Sequence, residues 1–423
     1  MKLNHIYKSI ACGVLLAMTA TSCDLDYNPV DTYSDVTEGV NKTDEKPIFN
    51  SVQDVETSMV TLHKKFRDRQ EHWYVDKLLI GDAHSDNAYA GTTGAEVVPY
   101  ETNSIEGSNS VLKRHWDRFL GDIAVANRII VGCDQLKALS ESERGKYQSQ
   151  AKIFRAMVMF DMVRLWGNFP VITTVGGDIT EDNVEEMYPT YFPPQNTAEE
   201  AYAQIEKDLT EAVENPNTPT NDTSDKSILT KSVARAMLAK VYAEKPLRDY
   251  AKVIKYADEL AADGFDLVED FSDLWAYDTE KKDCRVRNTK EAILEAHFPP
   301  GSGNWCTWMF GRNLSNWDES FTWAKWITPS RDLIRLYEEQ GDTKRYNESV
   351  VWYDCGWSNY YPADHYAFMY KCRSAFNSII YLRYADILLL KAEGSRPERC
   401  SRHHRPHPQP RRTGQTSTKH PQQ

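Results

Sequence analysis

The chain has 423 residues, 41 % of them hydrophobic and 26 % charged, with a formal net charge of −12. This is a globular composition. The acidic balance excludes nucleic acid as a partner, because gripping phosphates needs a basic face.

At the N-terminus, Lys2 and Lys8 precede an apolar stretch from Ile10 to Ala20, and Ala20-Thr21-Ser22 lead into Cys23. A spanning helix needs roughly 20 apolar residues. Residues 1–22 are therefore predicted to be a lipoprotein signal peptide, removed before Cys23. Cys23 is the expected lipidation site, since several acyl chains on one residue supply the multiple anchors that stable membrane attachment requires. Removing the leader leaves about 400 residues, enough for one large domain or two ordinary ones. No later segment is apolar and long enough to span a membrane.

Helical patterns dominate the middle of the chain. Between Ser142 and Trp166, the apolar positions Phe154, Val158, Met162 and Leu165 recur at helical spacing, and Gly167 and Pro170 end the run. Thr197 with Glu200 three residues on forms a capping box for a helix whose buried stripe is Tyr202, Ile205, Leu209 and Ala212. A third helix carries Ala234, Met237, Leu238 and Val241, and a fourth carries Tyr250, Val253, Ala257 and Leu260 before Gly264. With the small residues Ala234, Ala236 and Ala239 at the contact, these two read as a helical hairpin of the tetratricopeptide kind. Strand-like runs are few, such as Ala292 to His297. The predicted fold class is mainly α, a tetratricopeptide-like scaffold with long irregular ligand-binding segments.

The order of segments resembles the RagB/SusD family of outer-membrane lipoproteins from Bacteroidetes, from Cys23 to about Glu393. The best-matching stretch runs from Ala151-Lys152-Ile153-Phe154-Arg155-Ala156 to Arg164-Leu165-Trp166-Gly167-Asn168-Phe169-Pro170. Five more follow the family order: Cys23-Asp24-Leu25-Asp26 with Pro29, Glu200 to Ala212, Ser232 to Tyr242, Thr328 to Ile334 leading to Gly341-Asp342, and Leu382 to Glu393. The resemblance implies a surface-exposed protein of the outer membrane that captures oligosaccharides, or peptides in some branches, for a SusC-like TonB-dependent transporter. The acidic residues after Cys23 are consistent with export to the outer face. No cofactor is implied beyond the lipid on Cys23, and the sequence leaves open whether calcium assists.

Aromatic distribution points independently to a ligand face. Seven of the eleven tryptophans, Trp305, Trp308, Trp317, Trp323, Trp326, Trp352 and Trp357, lie in one segment rich in Gly, Asn and Ser. A sugar ring has an apolar C–H face and a rim of hydroxyls, so a flat ring beside Asn or Arg satisfies both. Trp305, Trp308 and Trp317 with Asn304, Asn313 and Asn316 supply that mixture, as do Trp352, Trp357, Tyr360 and Tyr361 with Asn359. The stretch Gly81 to Tyr89 is a second polar patch, from which Asn87 and Tyr89 are the expected ligand contacts. Packing beneath loops is the commoner reading of any one tryptophan, but a loop segment cannot bury all seven without leaving polar backbone unpaired; turn formation and helix capping explain the Asp and Asn of the patch almost equally well.

Catalytic motifs are absent: His72, His84, His115, His297 and His365 are scattered, and neither HExxH nor G-x-S-x-G occurs. The expectation is a binding protein and not an enzyme. The alternatives are a glycan-degrading enzyme, whose two carboxylates can always be found among 62 acidic residues, and a tetratricopeptide-type interaction scaffold. Beyond Cys12 and Cys23, the cysteines Cys133, Cys284, Cys306, Cys355, Cys372 and Cys400 match no zinc spacing. They read mostly as inert buried thiols, and spacing does not tell which of them pair.

The ligand-binding domain is expected over residues 23–394. Residues 395–423 carry no aliphatic side chain and no Phe, Tyr or Trp, and hold seven Lys/Arg against the single acid Glu398. Such a tail cannot pack and reads as disordered, the product of a shifted reading frame that leaves the family's C-terminal region incomplete. A metal-binding or surface-adhesive tail through His403, His404 and His407 is the other reading.

Overall fold

A computed structural model describes residues 47–90, 95–177, 184–278, 280–281, 283–298, 303–304, 327–354, 359–371 and 373–396. The leader, Cys23, Trp305, Trp308, Trp317, Trp323, Trp326, Trp357, four of the cysteines (Cys306, Cys355, Cys372, Cys400) and the tail from 397 lie outside the described residues. Two units are distinguished. One comprises residues up to Pro47 together with Gly176–Pro193, and the other Ile48–Val175 with Pro194 onward. In the first, one short helix (Val184–Tyr191) stacks Tyr188 on Phe192.

The second unit is built on helices: α1 (Val52–Asp68), α2 (Asp76–Gly81), α3 (Val98–Glu101), α4 (Ser110–Gln135), α5 (Glu141–Trp166), α6 (Ala198–Glu214), α7 (Lys231–Ala243), α8 (Tyr250–Ala262), α9 (Arg331–Gln340), α10 (Thr343–Ser349) and α11 (Tyr384–Gly394). Each long helix packs on the next: α4 on α5, α5 on α6, α6 on α7, α7 on α8, and α8 on α11. The chain is mainly α, a stack of helical hairpins of the tetratricopeptide kind, as the sequence pattern predicts. Capping sets the helix starts. Ser51 with Asp54, Ser140 with Glu143, and Thr197 with Glu200 each form a reciprocal capping box. Gly167, at φ 71°, and Gly264, at φ 93°, follow α5 and α8 in a backbone region that side chains with a Cβ rarely adopt.

Helix α5 is buried nearly all round, because α4 and α6 cover opposite sides of it. Its one buried cation, Arg155, donates from Nε and an Nη to the two oxygens of Asp208 on α6, at 2.8 and 2.7 Å. The other Nη donates to Asn127 Oδ1 on α4 at 2.7 Å. Asn127 in turn donates to the backbone oxygens of Ile172 and Thr174. Three helices and the segment after α5 are thus tied at one point.

Among the described residues the unit also holds four two-stranded antiparallel ribbons: β1 (Ala88–Ala90) with β5 (Ile327–Pro329), β2 (Tyr277–Asp278) with β3 (Asp283–Cys284), β4 (Ala292–Ala296) with β8 (Ile379–Arg383), and β6 (Val350–Tyr353) with β7 (Tyr366–Met369). The strand run expected at Ala292–His297 is β4, buried along its whole length. Apolar side chains divide into two cores. The larger fills the helical stack, and a separate small one gathers Ile334, Val350, Tyr361, Tyr366, Ala367 and Phe368.

Candidate functional site

The small core positions the aromatic face. Strand β1 pairs with β5 in the register Tyr89 to Thr328, and β6 pairs with β7 in the register Trp352 to Ala367. Ser330 fastens the first ribbon further. Its N–H donates to Asn87 O at 3.1 Å and its hydroxyl to Asp86 O. Because β-strand side chains alternate, Ala88 and Ala90 point inward while Tyr89 turns half out.

Tyr89 meets Tyr360 there. Their rings stack at 4.5 Å between centroids and 13° between planes. The Tyr360 hydroxyl reaches Glu101 Oε2 at 2.6 Å and Ala90 O at 2.8 Å, while Ala90 N–H donates to the same carboxylate oxygen at 2.7 Å. Burial, reinforced by this carboxylate, raises the Tyr360 phenol, so it stays a donor. Tyr361 is buried beneath, its hydroxyl donating to Pro329 O at 2.8 Å. The exposed Arg331 covers Tyr361, with its guanidinium 4.8 Å from the ring centroid. Its backbone N–H donates to the Tyr89 hydroxyl at 3.2 Å, and its guanidinium donates to Tyr360 O.

Trp352 is half-buried at the other edge. His365 lies flat on one face at 4.2 Å and 4°, Tyr361 meets it edge-on at 5.2 Å, and its indole N–H donates to the Tyr346 hydroxyl at 2.9 Å. It is both a cover for the small core and part of the rim. Asn87 is exposed, but its backbone is committed to Ser85 and Ser330, and its side chain bonds Asp82. Burial raises Asp82 despite that bond and the charge of Lys371.

The structure therefore brings Asn87, Tyr89, Trp352 and Tyr360 to one surface, although about 270 positions separate the two segments in the chain. Trp305, Trp308, Trp317 and Trp357 lie outside the described residues. Arg331, Glu101 and His365 belong to the same surface and had no separate signal in the sequence. In the sequence Arg331 stands only within the family-like stretch Thr328 to Ile334, and Glu101 is one acid among many; in the structure Arg331 opens α9, capped by Ser330. Among the described residues no group of three or more His, Cys, Asp or Glu is arranged to hold a metal ion, and no helix is long and apolar enough to cross a membrane.

Residues 33–243 match the SusD-like family described as "Starch-binding associating with outer membrane". A SusD-like protein of Bacteroides ovatus is 25 % identical over 309 residues, covering 70 % of this chain and 50 % of its own length. This chain thus spans about half the length of that curated relative. Among solved structures, a laminarin-binding SusD-like protein superposes with a TM-score of 0.64 at 18 % identity, covering 82 % of this chain and 80 % of its own. Surface glycan-binding protein A from Bacteroides thetaiotaomicron, solved in complex with laminarihexaose, gives 0.63 at 16 % identity, covering 81 % and 78 %. In the sequence of its first half and in the fold of the whole helical stack, the chain belongs to the SusD/RagB family.

Proposed function

We propose that this chain binds oligosaccharides at the aromatic surface around Tyr89 and Tyr360, without cleaving them, and delivers them to a TonB-dependent transporter from a lipid-anchored position on the outer face of the outer membrane. The observation that carries the reading is the convergence of two distant segments, each rich in rings and amides, on a small core of their own. Flat rings flanked by Asn87, Asn359 and Arg331 offer the mixed apolar and hydrogen-bonding surface that pyranose rings require. The family description and the laminarin-related names of two structural neighbours support a glycan as the ligand class. Trp305, Trp308, Trp317 and Trp357 are proposed to extend the surface. The anchor reading rests on the leader and Cys23, and the transporter reading on the family resemblance.

Affinity electrophoresis in gels containing β-glucan or starch tests this. The protein is expected to be retarded, to release no reducing sugar, and to lose retardation in Tyr360→Ala and in Trp305→Ala, Trp308→Ala or Trp357→Ala variants that keep their circular dichroism. Retardation unchanged in every variant would overturn the site, and release of reducing sugar would overturn the non-enzymatic reading.

A further inference from the structure

A second concavity lies apart from the aromatic surface and shares no residue with it. It is an open cleft of about 540 Å³ between α1, the first half of α5, the connection before α7 and the end of β4. That volume suits one or two sugar rings. Its floor is apolar, with Phe66, Ile228 and Ala296, while Val60 at its mouth is 52 % exposed. Lys64 and Arg67 on α1 and Lys146 on α5 line it as cations. Lys64 and Arg67 stand three residues apart, on one helix face. Arg67 is shared with the exposed Asp68 at 3.0 Å.

The polar groups within are already set. Gln150 donates its amide to Lys146 O at 3.1 Å, which turns its Oε1 to His63 Nε2 at 2.9 Å, so that ring nitrogen carries the proton. Glu295, 2 % exposed, is the one carboxylate in the lining. Its Oε1 lies 2.7 Å from His297 Nε2 and accepts the Asn288 N–H at 3.0 Å, with Lys226 supplying a nearby charge. Glu295 Oε1 is thereby engaged by Asn288 and His297, Glu56 lies beside Tyr147 and Asp225 near His63, and Lys64, Arg67 and Lys146 are the cations of the lining.

We infer that this cleft is a second binding site, for a carboxylated sugar whose ring lies on the apolar floor and whose carboxylate is held by Lys64, Arg67 and Lys146. A neutral sugar would forgo the cations, and a bare inorganic anion would leave the floor wet.

The test is titration of the full chain with glucuronate, glucose and sulfate, followed through the imidazole proton resonances of His63 and His297. Glucuronate is expected to bind at least about fivefold tighter than either glucose or sulfate. Lys64→Glu/Lys146→Glu should weaken it by about fivefold or more, which is what two exposed charges can contribute. Both side chains are exposed, so unchanged thermal unfolding is expected to accompany that loss. The Tyr360→Ala variant should bind glucuronate as the parent does. Equal affinity for glucose or sulfate, an unchanged Lys64→Glu/Lys146→Glu variant, or loss of glucuronate in Tyr360→Ala would each overturn the inference.

Discussion

Tyr89 and Tyr360 lie face to face at 4.5 Å, and the Tyr360 hydroxyl is anchored on Glu101 beyond them. The pair joins β1 to the segment between β6 and β7, so the same contact that stabilises the small core also shapes the surface proposed to bind glycan.

Tyr360→Phe keeps the stacked ring and removes the hydroxyl. It leaves Glu101 Oε2 with the Ala90 N–H as its remaining partner of the two, at a cost of about 1 kcal/mol in urea unfolding. Glycan retardation should survive in it. Tyr360→Ala removes the stack as well and should cost more and abolish retardation; equal retardation in the Phe and Ala variants would show that the ring is not a contact.

Arg155 and Asp208 are 4 % and 1 % exposed, respectively. Arg155→Ala leaves a buried carboxylate uncompensated and is expected to destabilise by roughly 3–5 kcal/mol. Arg155→Met/Asp208→Leu removes both charges and should recover much of that loss in the same unfolding assay. A double variant no more stable than the single one would mean that the tie to Asn127, and not the ion pair, is what matters.

Acid should destabilise the helical stack through His72 and His115. Both are fully buried, with Nδ1 atoms 2.8 Å apart, so one donates and the accepting ring is neutral. Burial lowers both from their ordinary 6.5, opposed at His72 by Asp122 and reinforced at His115 by the neighbouring His72, Lys77, Arg114 and Arg118. The unfolded chain therefore protonates both first, and their stabilising contribution is complete above 6.5 and lost as pH falls below it. Asp76 acts in the opposite sense, pushed up to about 6 by burial against the pull of Arg114. Two imidazoles against one carboxyl leave a net loss on the order of 1 kcal/mol per pH unit. Urea midpoints at about pH 7 and about pH 5 should differ in the parent and differ less in His72→Gln/His115→Gln.

Cys133 is fully buried in α4, and burial, aided by Asp134, pushes its thiol up to about 12. Iodoacetamide at about pH 8 should leave Cys133 unmodified in the native protein and label it after unfolding, as read by peptide mass mapping. Native labelling at a rate like that of a free thiol would mean that α4 opens locally.

The sequence by itself determined four of the helices, α5 to α8, and their faces; α1 and α4 were not read from it. The recurrence of Phe154, Val158 and Met162, the Thr197–Glu200 box and the stripe through Ala234 and Leu238 are local signals, because helix periodicity and capping are written within a few residues. The order of six matching stretches indicated the family for the same reason. Only the tertiary structure decided that Tyr89 would face Tyr360, that Arg331 would lie over Tyr361, and that Trp352 would have a histidine stacked on one face. The first depends on β1 finding β5 across more than 200 positions, and the last on β6 pairing with β7; such pairings leave no local trace, since each partner alone reads as a turn or a short apolar run. The cleft beside His63 was hidden likewise: its walls come from four separate segments, and no spacing within any one of them marks a shared wall.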